Sequence, residues 1–168
     1  MTPIALVHTA LGVTALATGA FVLVRRKGDR LHRVVGRVYA GALVALCVLS
    51  FGLRDSTPFF HGYGPFHVAA LVSLGTVTAG VVVARRRREN WLGAHYMWMA
   101  WSYIGLVMAT GGHVVHPIVI GLRGMGVPGA VSVAVGLAVA WVLPPLVGRW
   151  WIARQQPGWD ALGTRVPA

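Results

Sequence analysis

Acidic residues are scarce in this chain of 168 residues, which has four of them against 15 lysines and arginines, for a net charge of +11. Only 11% of the residues are charged and 56% are hydrophobic, which is too apolar for an ordinary soluble domain. The single cysteine, Cys47, excludes an intramolecular disulfide, a CxxC redox pair and a cysteine-based zinc finger. Because the basic residues cluster between apolar stretches, the charge indicates a lipid bilayer as partner and not a nucleic acid.

Several catalytic signatures are also missing from the sequence. It has no GxSxG nucleophile elbow, no phosphate-binding P-loop and no GxGxxG fingerprint after a strand. No acidic residue falls within an apolar stretch, so proton-coupled transport through buried carboxylates has no residues to use. The sequence therefore identifies no catalytic residue and leaves the question of an enzymatic activity open.

Five apolar stretches dominate the chain, and each has close to the ~20 residues that a helix needs to cross ~30 Å of hydrocarbon. The predicted helices cover about 3–24, 33–53, 65–84, 91–112 and 127–148. The fold class is therefore an all-α integral membrane protein, with a four-helix bundle core and one further C-terminal helix. Residues 1–168 form one polytopic membrane domain in this interpretation.

The basic residues predict the orientation of the chain in the membrane. Of the 15 lysines and arginines, only Arg54 and Arg123 fall at one set of helix ends, which leaves 13 at the other. Since lysine and arginine accumulate on the cytoplasmic side, the N-terminus is predicted to lie outside and the C-terminus in the cytoplasm. We expect a multi-pass protein of the bacterial cytoplasmic membrane, as a homo-oligomer or as a subunit of a larger membrane complex.

Histidine is the residue that offers chemistry here. With this topology, seven histidines form two layers: His32 and His95 at the cytoplasmic face, and five at the outer face, namely His8, His61, His67, His113 and His116. His95 and His113 are 18 positions apart, so they lie on one helix face about five turns and about 27 Å from each other. Histidine faces lipid poorly and is a good ligand for haem iron, copper or zinc.

Two layers of histidine predict a small redox protein that carries electrons across the membrane. A b-type haem near each surface would be held by histidines from two helices. The inner pair would be His32 with His95, and the outer pair would come from His8, His67 and His113. A quinone is the alternative cofactor, because the fourth predicted helix is rich in aromatic residues and methionine.

A metal site at the outer face is a further interpretation. His113 and His116 are three residues apart and share one side of a helical turn, and His8 or His67 would complete a copper or zinc site. Pro117 is expected to end that turn. Zinc hydrolysis is disfavoured because Asp55 is the only acid predicted at the outer face.

The competing interpretation is a structural or accessory subunit without catalysis. Interfacial histidines would then bond backbone carbonyls or lipid headgroups, and small residues in the helices would serve close packing. These small residues are Gly12, Gly19, Gly41, Gly75, Gly80, Gly105, Ala109 and Gly136.

Two segments resemble a bacterial family of predicted membrane proteins, domain of unknown function 2306, over about residues 3–112. They are LHRVVGRVY at 31–39 and HYMWMAWSY at 95–103, with His8 opening the first helix. The resemblance implies a membrane protein without an assigned activity. It marks as family positions His8, His32, Arg33, Gly36, Arg37, Tyr39, His95, Trp98, Met99, Ser102 and Tyr103. The chain differs from the family pattern in Trp101, where a basic residue is common, and in its fifth helix and Gly-rich outer loop.

The first of these segments also predicts a binding patch. Arg33 and Arg37 lie one helical turn apart, with His32 just before them and Tyr39 just beyond. Such a cationic patch at the inner surface would hold a haem propionate, a quinone head or an anionic lipid.

Overall fold

A computed structural model describes residues 2–25, 27–53 and 63–163. Arg54, Asp55 and His61 lie outside the described residues, as do two of the 13 basic residues counted at the predicted cytoplasmic side, Arg26 and Arg165. The described part is built from helices, which are α1 (Pro3–Val24), α2 (Arg30–Ser50), α3 (Pro65–Arg86), α4 (Trp91–Gly124), α5 (Gly129–Leu137), a short π-helix (Ala138–Val142) and α6 (Leu143–Gly163). The last three follow one another without a break and are called the terminal helix below.

The first two helices begin where the sequence supplies a capping residue. The Thr2 hydroxyl accepts the Ala5 N–H ahead of α1, and Pro3 occupies the first turn, where its missing N–H costs nothing. The Asp29 carboxylate accepts the His32 N–H at 2.6 Å and caps α2. Because Asp29 supplies this cap, α2 begins at Arg30, three residues before the predicted start at residue 33.

Helices α1 to α4 form a four-helix bundle in which each packs against its neighbours in the chain and α1 also meets α4. Its core is a buried cluster drawn from all four helices, consisting of Ala15, Tyr39, Ala42, Leu43, Leu46, Cys47, Ala70, Val77 and Leu106. The terminal helix packs on the outside of α4, around Tyr96, Ala100, Ile104 and Ile152. The predicted bundle with one further helix is confirmed.

Five helical stretches in the described part are long and apolar enough to cross a membrane. Large aliphatic side chains point outward along them, such as Leu6 and Val13 on α1, each with 62% of its surface exposed. An apolar exterior of this extent suits hydrocarbon and not water, so these helices contact the lipid bilayer. The orientation of the bundle across the membrane stays a prediction.

Two helix ends differ from the predicted ones. Helix α4 passes Pro117 and continues to Gly124, so its 34 residues span about 51 Å and the expected Gly-rich loop is mostly helical. Proline removes one backbone bond, but ending the helix there would leave several polar groups without partners in apolar surroundings. The distal half of α4 is supported instead by close packing on α5, where a Cβ on Gly136 would lie 3.1 Å from Val115 Cγ1.

The terminal helix also continues beyond the predicted residue 148, to Gly163. Trp159 stacks on Tyr96 with ring centroids 5.5 Å apart, so the added turns run along the first turns of α4. The π-helix within it precedes Pro144, which has no N–H for the carbonyl of Ala140. The Leu143 N–H accordingly bonds the carbonyl of Ala138, five residues earlier.

Candidate functional site

A cavity of about 470 Å³ lies between the four bundle helices, at the end where α1 begins and α2 finishes. This end is called the His8 end below. Its walls are mainly aliphatic, including Leu16, Leu43 and Leu106, while three histidines line it from different helices. They are His8 on α1, His67 on α3 and His113 on α4, which are the three predicted for the outer cofactor site. Ligand cavities are commonly of this size and composition.

His8 and His113 are the two histidines of the cavity whose rings remain available. The Nδ1 atom of His8 is buried and has no hydrogen-bond partner, and the two imidazoles lie within electrostatic range of each other. The His113 ring stacks on Phe66, with centroids 6.4 Å apart and planes inclined by 23°. Pro117 has no N–H for the His113 carbonyl, which leaves a polar backbone atom on the same turn.

His67 has a different position, because backbone groups bond both of its ring nitrogens. Its Nδ1 accepts the Gly64 N–H at 3.1 Å, while its Nε2–H is shared between the carbonyls of Ser50 at 3.1 Å and Leu53 at 3.0 Å. The ring also meets Tyr63 edge to face at a centroid distance of 4.8 Å. These contacts connect the start of α3 to the end of α2, and a ligand bond from His67 would require breaking one of them.

Most hydroxyl groups around the cavity are already used within their own helices. The hydroxyls of Thr9, Ser50 and Thr110 donate to the carbonyls of Ala5, Cys47 and Leu106, respectively. Side-chain hydroxyls that bond backward along a helix are satisfied without a ligand. The imidazoles of His8 and His113 are therefore the cavity's clearest polar groups for a ligand.

The predicted outer metal site is not assembled in the described part of the chain. His116 is exposed and does not line the cavity, although it follows His113 by three residues. Among the described residues, no group of three His, Cys, Asp or Glu side chains is placed to hold one metal ion. A copper or zinc ion on His8, His67, His113 and His116 would need these side chains to move.

At the opposite end of the bundle, called the basic end below, His32 and Lys27 lie within electrostatic range of each other and near His95. His95 donates its Nδ1–H to the Gly80 carbonyl at 2.9 Å, which leaves the Nε2 lone pair available. Histidines that bind metals are usually held by such a second hydrogen bond. The Nδ1 of His32 is buried without a partner. The structure thus brings the predicted inner pair together from α2 and α4.

Charged groups cap the loop between α1 and α2 at this end. The Lys27 ammonium donates to the carbonyls of Val22 and Leu23 at the end of α1, and burial lowers its pKa. The hydrogen bond from the His32 N–H and the Arg25 guanidinium hold the pKa of the Asp29 carboxyl below its usual 3.8. These contacts join the end of α1 to the start of α2.

The predicted cationic patch needs one correction, which concerns Tyr39. Arg33 and Arg37 are exposed at the basic end, but Tyr39 is only 2% exposed and points into the bundle. Helical geometry explains the difference, because Tyr39 lies seven residues after His32 and shares its face, about 100° or more from Arg33 and Arg37. That spacing is a signal in the sequence that could have separated Tyr39 from the arginines.

The Tyr39 hydroxyl donates to Ser102 Oγ at 2.8 Å, and the Ser102 hydroxyl donates in turn to the Met99 carbonyl, also at 2.8 Å. Tyr103 extends this polar contact by donating to the Leu16 carbonyl of α1 at 3.3 Å.

A family model described as Predicted membrane protein (DUF2306) matches residues 5–152, most of the chain. The chain belongs to this family. Neither the comparison with curated proteins nor the one with solved structures gives a match.

The DUF2306 match reaches residue 152 and therefore includes most of the terminal helix. The fifth helix and the glycine-containing segment before it are thus part of the family pattern, which corrects the expectation that they depart from it. The two segments that carried the resemblance meet inside this DUF2306 chain, since Tyr39 belongs to the first and Ser102 to the second. The family description assigns no activity or ligand.

Proposed function

We propose that this chain is a small integral membrane redox protein that binds a quinone in the cavity at the His8 end. The supporting observation is the cavity itself, which has aliphatic walls and two available imidazoles from α1 and α4. A quinone ring carries carbonyl oxygens that accept hydrogen bonds, and its remaining surface is apolar. Imidazole N–H groups suit those oxygens, and imidazole also exchanges protons near neutral pH, as quinone reduction requires.

The orientation predicted from basic residues belongs to the same proposal. The basic end would face the cytoplasm of a bacterium, and the quinone would be reached from the outer half of the cytoplasmic membrane. Reporter fusions to the two termini test this, with a periplasmic reporter active at the N-terminus and a cytoplasmic one at the C-terminus. The reverse pattern would contradict the orientation while leaving the cavity's ligand open.

Quinone binding is tested by titrating the detergent-purified protein with a ubiquinone analogue and with a menaquinone analogue. Fluorescence or calorimetry measures the binding. His8→Leu and His113→Leu should each weaken binding about tenfold or more, since each removes a hydrogen bond to a desolvated oxygen. His116→Leu is the matched control, because His116 lies outside the cavity. Saturable binding that survives both cavity substitutions unchanged would contradict the proposed site.

A cavity-filling pair provides an independent test. A Cβ on Gly12 would meet only Leu46 at 3.9 Å, so Gly12→Leu projects a side chain into the cavity without a backbone clash. Gly41 has open space around its Cβ position and does not line the cavity. We expect Gly12→Leu to abolish quinone binding while Gly41→Leu retains it. Equal binding by both variants would exclude this cavity as the site.

A haem at the basic end is the second candidate, favoured by the orientation of His95 on the Gly80 carbonyl. His32 and His95 would then be the axial ligands of a b-type haem. Optical spectra of protein expressed with added haem test this, with a Soret band and sharp reduced α and β bands expected. His95→Ala should remove these bands and His116→Ala should retain them. Colourless wild-type protein from haem-sufficient cells would exclude this candidate.

A further inference from the structure

We infer that a second, smaller cavity next to the His8 end holds the apolar tail of the ligand whose ring occupies the main cavity. This inference rests on the proposed quinone function and names the class of quinone, one with a long hydrocarbon tail. The smaller cavity, called the tail groove below, has a volume of about 230 Å³. It lies between α1, α4 and the terminal helix, at Leu16, Thr110 and Ala140.

The tail groove continues the main cavity. Leu16 on α1 and Thr110 on α4 line both spaces, so the two cavities are adjacent. Leu16 lies eight residues below His8 on α1, which is about 12 Å along the helix axis. A ligand with its ring beside His8 would therefore extend its tail past Leu16, toward the middle of the bilayer.

The groove is suited to hydrocarbon and not to a second polar head. Its lining consists of aliphatic side chains, Gly111, Pro144 and Thr110, and the Thr110 hydroxyl already donates to the Leu106 carbonyl at 2.9 Å. A polar group placed there would lose its hydrogen bonds to water and find no side-chain partner. Hydrocarbon, in contrast, is stabilised by contact with such walls.

The π-helix forms one wall of the groove. Ala140 in this segment packs directly on α4, where a Cβ on Gly111 would lie 2.9 Å from the Ala140 oxygen. Pro144, which follows the π-helix, also lines the groove. Val139, 40% exposed, stands at the edge of the groove next to lipid-facing side chains such as Val142. A tail could therefore enter from the bilayer.

The test compares quinones with the same ring and different tails: none, a ten-carbon alkyl tail and a prenyl tail. Wild-type protein should bind the tailed compounds at least about tenfold more tightly than the tailless one at a fixed detergent concentration. Val139→Phe should remove this difference by filling the groove. Val135→Phe is the matched control, one turn away with the same side chain, 39% exposed and outside the groove.

The outcomes separate the inference from the function on which it rests. If no quinone binds, with or without a tail, the proposed function fails. If tailed and tailless compounds bind equally, or if Val139→Phe and Val135→Phe behave alike, the tail groove is overturned and the ring site stands. In a further outcome, the quinone tail has no effect, and a phospholipid is retained by wild type and Val135→Phe but not by Val139→Phe. This result would assign the groove to lipid and also overturn the inference.

A second pair of variants covers the case in which Val139→Phe does not fold. Val114 lines the groove from α4 and is 42% exposed, whereas Ile120 on the same helix is 57% exposed and lies outside the groove. Val114→Phe should reduce the advantage of the tailed quinone, and Ile120→Phe should leave it unchanged. Circular dichroism and gel filtration in detergent verify that each variant folds before binding is measured.

Discussion

The Tyr39 hydroxyl of α2 donates a hydrogen bond to Ser102 Oγ of α4 across the centre of the bundle, at 2.8 Å. We assign this direction from the second bond of Ser102, whose hydroxyl hydrogen bonds the Met99 carbonyl. Tyr39 is 2% exposed and Ser102 is fully buried, so neither hydroxyl has access to water. The bond therefore connects two helices that are distant in sequence, and it joins the two segments that carried the resemblance to the family.

We expect Tyr39→Phe to destabilise the protein less than Ser102→Ala does. Tyr39→Phe removes one interhelical bond and leaves the Ser102 hydroxyl bonded to Met99, at a cost of about 1 kcal/mol. Ser102→Ala leaves a buried tyrosine hydroxyl without its acceptor, at a cost of about 1–3 kcal/mol. Thermal unfolding in one detergent, monitored by circular dichroism, measures both. A larger loss for Tyr39→Phe would contradict the assigned direction of the bond.

Gly19 leaves room for the neighbouring rings of Tyr39 and Tyr103, whose centroids are 6.3 Å apart, so Gly19→Ala should destabilise the bundle by about 1–3 kcal/mol. An added Cβ would lie 2.5 Å from Tyr103 Cδ2 and 2.8 Å from Tyr39 Cε2, so the buried ring of Tyr39 and the partly buried ring of Tyr103 would both have to shift. Gly41→Ala is the control, because nothing lies within 4 Å of its Cβ position. Unfolding in detergent should show almost no loss for Gly41→Ala, and equal losses in the two variants would count against the packing described.

The small residues in the helices were expected to serve close packing, and the structure distinguishes among them. A Cβ on Gly105 would lie 2.7 Å from Ser73 Oγ, within the contact between α3 and α4. Gly41 and Gly75, in contrast, face open space. Position along the chain does not reveal this difference, since all three occur in equally apolar helices. The difference depends on whether a neighbouring helix packs against the glycine in the folded bundle.

The bundle itself could be predicted because a helix that crosses a bilayer must be continuous and apolar, and five such stretches are visible in the sequence. Helix ends were less predictable. Pro117 and several glycines indicated a loop after residue 112, but packing of α5 against Val115 maintains the helix through the proline. Local propensity was overridden there by a tertiary contact, which a sequence does not display.

For the candidate site, the sequence indicated which histidines share an end of the bundle, because the bounds of the predicted helices place each histidine near one end or the other. It could not indicate which ring nitrogens are available. His67 and His8 look equivalent in the sequence, yet His67 bonds three backbone groups and His8 has a buried nitrogen without a partner. That difference comes from the turn that leads into α3, where Gly64 presents its N–H to the ring.

We therefore expect His67→Phe to affect stability more than ligand binding. The substitution preserves a flat ring of similar size but leaves the Gly64 N–H and the carbonyls of Ser50 and Leu53 without this partner, at a cost of about 1–3 kcal/mol. Unfolding in detergent measures the loss, with His116→Phe as the exposed control. Quinone binding by folded His67→Phe should stay within about threefold of wild type. A complete loss of binding with unchanged stability would instead make His67 a ligand contact.

Acidification should weaken the contact between α1 and α2 through Asp29. Its pKa is lower in the folded protein than the usual 3.8, because the carboxylate accepts the His32 N–H and pairs with Arg25 at 3.0 Å. When folding lowers the pKa of a carboxyl, its contribution to stability is complete at a pH above its pKa in the unfolded protein. That contribution is lost as the pH falls through its pKa in the folded protein. The unfolding temperature should thus decline below about pH 4, a decline to which Asp29 contributes.

Asp29→Asn removes the charge of the carboxylate and retains its role as N-cap, so the variant distinguishes the two contributions. Asparagine is an equally good N-cap residue, so α2 should still begin at Arg30, but the amide has no proton to gain in this pH range. We expect the variant to show a shallower decline than wild type between pH 5 and 3, whereas Glu89→Gln, which changes an exposed acid, retains the wild-type decline. Raising the salt concentration should weaken the Arg25 contribution and leave that of the His32 N–H, since screening acts on exposed charge pairs more than on a short hydrogen bond. An Asp29→Asn profile identical to wild type would mean that the acid sensitivity arises elsewhere, and that this carboxylate contributes only as a cap.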